Sequence, residues 1–166
     1  MSDAHINILG TDYYKYGQKV EFGISGSGSV AYYVNGKRID GNSVTVGHEN
    51  LTVQMDVSYI DENGKEQVRK PGEYTVLTKN TLVSNLPAGW YVVQGEVSYT
   101  SQVYFRDNAY LILADGAKME IETEGESESA IQAYRNLKIY GQSGQSGILK
   151  ATAKGSDRFG ISGNLG

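Results

Sequence analysis

The chain has 166 residues, of which 20% are charged, with a net charge of −4 and no cysteine. This acidic balance argues against a nucleic-acid binder, because neutralising phosphates requires an excess of Lys and Arg. The lack of cysteine excludes disulfides, thiolate metal sites and cysteine catalysis. No apolar run reaches the roughly 20 residues of a membrane-spanning helix, so we expect no span.

The composition favours β-structure. Glycine accounts for 21 residues, proline for only 2 and tyrosine for 13. With so little proline, the glycine does not indicate a disordered tract. Tyrosine is favoured on half-exposed strands, since its ring is apolar and its hydroxyl can stay hydrated. We therefore predict an all-β fold.

Short alternating runs and turn signals fill the N-terminal half. Asn35-Gly36 and Asn63-Gly64 each separate two such runs, which is typical of a two-residue hairpin turn. Apolar side chains recur at every second position over residues 51–59 and so share one face. These patterns predict that residues 1–83 form an antiparallel, sandwich-like module with an immunoglobulin-like arrangement.

Apolar pairs recur at regular spacing in the C-terminal half. Val103 is followed after 28 residues by Ile131, and Ile131 after another 28 by Phe159. Such repetition is expected when each circuit of the chain stacks its apolar residues on those of the circuit before. Residues 84–166 are thus predicted to begin a parallel β-helix, and Asp115-Gly116 to be a corner rather than a hairpin.

Two further pairs extend this repeat. Leu111 matches Leu137 at 26 residues, and Met119 matches Leu149 at 30. Two alternatives stay open: ordinary hairpins whose spacing coincides by chance, and a helix over residues 127–140. The side chains predicted to face inward are Val103, Phe105, Leu111, Leu113, Met119, Ile121, Ile131, Ala133, Leu137, Ile139, Phe159 and Ile161.

Three motifs carry a resemblance to a known family: Gly89-Trp90-Tyr91-Val92-Val93, Leu111-Ile112-Leu113-Ala114-Asp115-Gly116 and Ile139-Tyr140-Gly141-Gln142-Ser143-Gly144. Over about residues 88–165 the chain resembles repeats of large secreted or surface-attached proteins of gut bacteria. The resemblance implies a right-handed parallel β-helix beside immunoglobulin-like modules, and a role in adhesion or glycan binding. It implies no catalytic residues, because the repeat pattern contains none. The chain departs from the family in having only about two coils.

These features predict a non-catalytic part of an exported bacterial cell-surface protein that acts in adhesion or carbohydrate binding. The polar N-terminus lacks a signal pattern, so either the protein stays inside the cell or its export signal has been removed, and we expect the second. The alternatives are part of a β-helix polysaccharide lyase or hydrolase, and a purely structural spacer.

A run of alternating glutamates forms one candidate site. Glu120, Glu122 and Glu124, continued by Glu126 and Glu128, would line one side of an extended strand. Calcium prefers several carboxylate oxygens, so the first three are candidate Ca²⁺ ligands. The alternative is a solvated outer face that keeps sheet edges from pairing with other chains.

Outward aromatic residues form the other candidate site. Alternation places Tyr104, Tyr110 and Tyr140 outside the coils, with Lys138 next to Tyr140. Exposed rings can stack on the apolar face of a sugar, and lysine would attract an acidic sugar. The expected partner is a polysaccharide or host glycan. The alternative is that these tyrosines serve only the sheet, or are covered by loops or by the N-terminal module.

Overall fold

The computed structural model describes residues 4–8, 11–14, 17–21, 31–35, 37–47, 51–124, 129–154 and 159–163. Within these ranges the chain forms 19 β-strands and no helix, so the all-β prediction is confirmed. A helix long and apolar enough to cross a bilayer is accordingly not found in the part of the chain that the structure describes. The strands are β1 Ala4–Ile8, β2 Thr11–Tyr14, β3 Lys19–Glu21, β4 Tyr32–Val34, β5 Lys37–Ile39, β6 Ser43–Thr45, β7 Leu51–Met55, β8 Val57–Ile60, β9 Glu66–Arg69, β10 Thr75–Leu77, β11 Gly89–Val93, β12 Glu96–Tyr99, β13 Val103–Phe105, β14 Ala109–Leu113, β15 Lys118–Thr123, β16 Ile131–Ala133, β17 Leu137–Gly141, β18 Ile148–Ala153 and β19 Ile161–Gly163.

The chain folds as two compact units. The first lies within residues 1–58 and 68–73, and the second within residues 59–67 and 74–166. A boundary at residue 83 stays a prediction. Strand β10, which precedes that boundary, pairs with β11 inside the second unit.

The first unit contains mainly antiparallel sheets. Its larger sheet has the order β2-β1-β7-β4-β5, in which only β1 and β7 are parallel neighbours, and β3 pairs with β6. Val34 pairs with Lys37, and Asn35 between them has a φ of 50°, in the left-handed region that asparagine tolerates. The hairpin predicted at this point is therefore confirmed, although Gly36 lies outside the described residues.

The second unit is built around three parallel sheets. Sheet A has the order β10-β11-β14-β17, sheet B β12-β15-β18 and sheet C β13-β16-β19. Each circuit of the chain thus adds one strand to every sheet. The chance-hairpin alternative is wrong, because β14 and β15 belong to different sheets and Asp115-Gly116 is a corner between them. The helix alternative is also wrong, since Ile131–Ala133 and Leu137–Gly141 are strands.

The register of the parallel strands agrees with the predicted repeat at two places and differs at two. Val103 pairs with Ile131 and Met119 with Leu149, as expected. The other two predicted pairs are wrong by two residues: the partner of Leu111 is Ile139 instead of Leu137, and the partner of Ile131 is Ile161 instead of Phe159.

The lengths of the corners explain these slips. Corners 106–108 and 134–136 both have three residues. Strand β17 therefore follows β14 by the same number of residues as β16 follows β13. Corner 142–147 is two residues longer than corner 114–117, and this extra length carries through β18 to β19. A shift of two keeps each side chain on the same face of the sheet, because the side-chain period of a strand is two.

The three sheets enclose one hydrophobic core, to which all of them contribute. Eight of the twelve predicted inward residues are buried, but four are not. Leu137 is half-buried, and Ile139, Phe159 and Ile161 are 41%, 67% and 49% exposed. Ile139 and Ile161 lie on strands that have no further neighbour among the described residues, and Phe159 precedes β19. The buried inward residues are Val103, Phe105, Leu111, Leu113, Met119, Ile121, Ile131 and Ala133.

Asp115 links consecutive circuits at the corner of sheets A and B. Its carboxylate accepts hydrogen bonds from the backbone N–H of Gly144 at 2.9 Å and of Ser146 at 3.3 Å, one circuit later. The Asp115 N–H in turn donates to Oε1 of Gln142 at 2.8 Å. The polar groups of one corner are therefore satisfied by the next, which fixes how the circuits stack.

Candidate functional site

The hairpin of β8 and β9 contributes the first part of the site through its loop. The carboxylate of Asp61 accepts hydrogen bonds from the N–H groups of Asn63 and Lys65, both at 2.9 Å, and Gly64 has a φ of 74°. A turn followed by a left-handed glycine is typical of a three-residue hairpin loop. The two-residue turn expected at Asn63-Gly64 is thus replaced by loop 62–64, which carries Glu62.

Four aromatic rings pack together on the outer face of sheet A; we call Tyr59, Trp90, Tyr110 and Tyr140 the aromatic cluster. Trp90 stacks on Tyr110, with ring centroids 4.5 Å apart and planes 14° apart, and on Tyr140 at 5.6 Å and 15°. Tyr59, from the end of β8, lies 4.8 Å from Trp90 and 5.0 Å from Tyr140 in tilted contacts. Alternation along β11, β14 and β17 explains the placement, because their intervening residues face the core.

Glu62 binds two groups of strand β17. Its carboxylate accepts a hydrogen bond from Nζ of Lys138 at 2.9 Å and from the hydroxyl of Tyr140 at 3.1 Å. The Lys138 hydrogen bond, followed by a backbone N–H and the Tyr140 hydroxyl, lowers the pKa of Glu62 from 4.5 to about 2. The same contact raises the pKa of Lys138, and partial burial followed by Glu62 raises the pKa of Tyr140. All three shifts favour the charged pair and the protonated phenol.

A groove of about 460 Å³ lies between this loop and β17. It combines an aromatic ring, aliphatic side chains, a lysine, two carboxylates and two primary amides. Such a mixture suits a small polar ligand with an apolar face. The lining side chains belong to Ile60, Asp61, Glu62, Lys138, Ile139, Tyr140, Gln142 and Gln145.

Three of the four residues predicted to contact a glycan come together. Tyr110, Tyr140 and Lys138 share the outer face of sheet A, whereas Tyr104 lies half-buried on β13 of sheet C. Tyr110 and Tyr140 are half-buried, so their rings do not form the open platform that alternation predicts. Only Tyr140 and Lys138 also line the groove.

Sequence reasoning missed Trp90, Tyr59 and Glu62. Trp90 pairs in register with Tyr110, so aligning Gly89–Val93 with Ala109–Leu113 would have placed it beside the tyrosine. Glu62 gives no comparable signal, because it precedes Lys138 by 76 residues and lies outside the repeat.

Of the three glutamates considered as calcium ligands, Glu120 and Glu122 lie on the outer face of sheet B and Glu124 directly follows β15; all three are next to lysines. Among the residues placed in the structure, no three acidic or histidine side chains are arranged to hold a metal ion. Glu126 and Glu128 lie outside the described residues. The pairing of the described glutamates with lysines favours a charge-balanced outer face over a calcium site. The ion pairs join Glu120 to Lys118 and Lys150, and Glu122 and Glu124 to Lys154.

We expect the contribution of Glu62 to stability to disappear in acid. Because the pKa of Glu62 is lowered from 4.5 to about 2 in the folded state, its ionised carboxylate stabilises the fold above pH 4.5. This stabilisation is lost as the pH falls through about 2. The melting temperature of Glu62→Gln should therefore lie below that of the wild type at pH 7 and converge with it near pH 2. Glu66→Gln, in the same hairpin, serves as the control. An equal difference at both pH values would contradict the assignment.

Comparisons of the chain with protein-family models, with curated proteins and with solved structures found no match. The resemblance to surface proteins of gut bacteria therefore rests on the sequence motifs alone.

Proposed function

We propose that the chain is a non-catalytic carbohydrate-binding module of an exported bacterial cell-surface protein that acts in adhesion. The observation that carries this proposal is the groove beside β17. There the Tyr140 ring lies next to Lys138, with the amides of Gln142 and Gln145 at the following corner. A sugar presents an apolar C–H face to an aromatic ring and hydroxyls to amides and charged groups, and this groove offers both.

We further propose that the second unit is a right-handed parallel β-helix and the first an immunoglobulin-like sandwich. The β-helix is supported by the three parallel sheets around one core, to each of which every circuit adds a strand. The sandwich is supported by the five-stranded sheet and the separate β3-β6 pair. These are the two kinds of module that the sequence resemblance implies.

The charges of the groove favour a neutral sugar. Lys138 alone would attract a uronate, but the Glu62 carboxylate is 2.9 Å from its Nζ. Asp61 adds a second carboxylate to the lining. An acidic sugar would therefore meet net negative charge, and we propose a neutral polysaccharide or host glycan as the ligand.

The proposal predicts that Tyr140→Ala weakens glycan binding about tenfold, the loss expected for one aromatic stacking contact. Ligands would be found on a glycan array and measured by calorimetry. Tyr140→Phe should retain most of the affinity, because it keeps the ring and loses only the hydroxyl bound to Glu62. Tyr104→Ala, on sheet C, is the matched control and should bind as the wild type does. Unchanged binding by Tyr140→Ala would refute the site.

A structural spacer is the second candidate function, and the aromatic cluster favours it. Its rings pack on one another, and Val92 and Ile112, on the same outer face of sheet A, are 0% exposed. Absence of binding to every glycan on the array would favour the spacer over the carbohydrate-binding module. The polysaccharide lyase or hydrolase alternative stays a prediction, to be tested by assaying release of oligosaccharides.

A further inference from the structure

The backbone of Gln145 adopts a conformation that glycine usually occupies. Gln145 has a φ of 49° and, with Asn35 at 50°, is one of two non-glycine residues in the left-handed region among those that the structure describes. Asparagine is enriched in this region, because its short polar side chain can bond to nearby backbone, whereas the longer glutamine is not. The conformation of Gln145 therefore costs free energy that a glycine at this position would avoid.

The β8–β9 hairpin contains the same turn with a glycine in that place. There the Gly64 N–H donates to the Asp61 carbonyl at 2.9 Å, and Gly64 has a φ of 74°. In corner 142–147 the Gln145 N–H donates to the Gln142 carbonyl at 3.1 Å, and Gln145 takes the left-handed conformation. A glutamine at a position that it strains, where glycine suffices elsewhere in the chain, indicates that its side chain serves a purpose other than the turn.

The other polar side chains that line the groove already bond within the chain. Asp61 accepts backbone hydrogen bonds inside its own hairpin, and Oε1 of Gln142 accepts one from a backbone N–H of the previous circuit. Glu62 and Lys138 form an ion pair. Gln145 is exposed, and its amide makes no hydrogen bond with any residue that the structure describes. This amide is therefore the polar group of the groove that is best placed to bond to a ligand.

We propose that Gln145 determines the specificity of the groove and that the ligand is a sugar bearing an acetamido group. This inference rests on the proposed glycan binding. A primary amide donates through its nitrogen and accepts through its oxygen, and an acetamido group offers the matching carbonyl oxygen and N–H without a charge. A carboxylate can only accept and an ammonium can only donate, so neither satisfies both atoms of the Gln145 amide.

The acetamido group also matches the apolar part of the groove. Ile60, at the end of β8, contributes an aliphatic side chain to the lining. The methyl of an acetamido group can pack against such a side chain, and its burial stabilises the complex. A sugar hydroxyl can donate and accept as the acetamido group does, but it has no apolar part to cover the isoleucine. We therefore expect the groove to prefer an acetamido sugar to its hydroxyl counterpart.

A glycan array with matched pairs of sugars tests the inference. The members of a pair differ only in bearing acetamido or hydroxyl groups, as chitotriose and cellotriose do, and calorimetry measures each pair that binds. We expect the acetamido member to bind at least tenfold more tightly, the gain from one neutral hydrogen bond and a buried methyl group. Gln145→Ala and Gln145→Gly should both abolish this preference. The melting temperature of Gln145→Gly should equal or exceed that of the wild type, because glycine relieves the left-handed backbone.

Two control variants separate the inference from the proposed glycan binding. Tyr140→Ala should weaken both members of a pair by the same factor, because stacking on the ring does not depend on the acetamido group. Asn35→Gly relieves the same kind of backbone conformation in the first unit and should leave binding unchanged.

Loss of the acetamido preference in both Gln145 variants, with no loss of stability in Gln145→Gly, would support the inference. Equal affinity of the wild type for both members of a pair, or a preference that survives both variants, would overturn it and leave the proposed glycan binding intact. A clear fall in the melting temperature of Gln145→Gly would also overturn it, since the glutamine would then serve the turn. Absence of binding to every glycan would refute the proposed function and the inference with it.

Discussion

Replacing Phe105 with alanine is expected to lower the free energy of unfolding by about 3–5 kcal/mol, the usual cost of truncating a buried phenylalanine. Phe105 is completely buried in β13, and its ring lies 5.5 Å from that of Tyr91 in an edge-on contact. The alanine variant would leave a cavity where sheets A and C meet, because the strands on either side are held by backbone pairing and cannot collapse into it. Urea denaturation measures the difference.

Phe159→Ala is the matched control for this experiment. Phe159 is 67% exposed, so its truncation should change the free energy of unfolding by no more than about 0.5 kcal/mol. The sequence pattern predicts that both phenylalanines face inward, whereas the structure buries only one. Equal destabilisation by the two substitutions would mean that Phe159 lies in the core after all and that the register of β19 is wrong.

Gly147→Ala is expected to lower the free energy of unfolding by about 1–3 kcal/mol, because it overpacks the corner before β18. A Cβ on Gly147 would lie 2.7 Å from Cβ of Leu113 and 3.0 Å from the carbonyl oxygen of Ala114. The obstructing atoms belong to the backbone or are attached directly to it, so they cannot move aside without disturbing β14. Thermal or urea denaturation reports the loss.

Gly141→Ala provides the control for the glycine prediction. A Cβ at Gly141, the last residue of β17, would meet no atom within 4 Å. This substitution should be neutral or slightly stabilising, since alanine reduces the freedom of the unfolded chain. If both variants lost the same stability, the effect would come from glycine removal in general and not from the close approach at Gly147.

The parallel stacking in the second unit was predictable from sequence because it requires apolar residues to recur at regular spacing along the chain. A residue that faces the core in one circuit lies directly on a core residue of the next, so apolar side chains recur, as Val103 and Ile131 do. Alternation within each strand then assigns the two faces. The recurrence between circuits and the alternation within each strand together predict the strands, the parallel sheets and most of the core of this unit.

The details that sequence did not predict depend on the corners and on distant contacts. Phe159 and Ile161 both fit the alternation of apolar residues. Only the length of corner 142–147 therefore decides which of them pairs with Ile131. For the candidate site, alternation correctly placed Tyr110 and Tyr140 on the outer face. It could not show that Tyr59 and Glu62 also occupy that face, because no periodicity connects the β8–β9 hairpin to the repeat.

The corners between sheets A and B lengthen with each circuit, from residues 94–95 through 114–117 to 142–147, while the strands on both sides remain paired. This part of the fold can therefore accept inserted residues without a change in the pairing of the strands on either side. The longest of these corners also supplies Gln142 and Gln145 to the groove. In evolution, new binding preferences could arise by insertion of residues into this corner, because loops tolerate insertions that the stacked core does not.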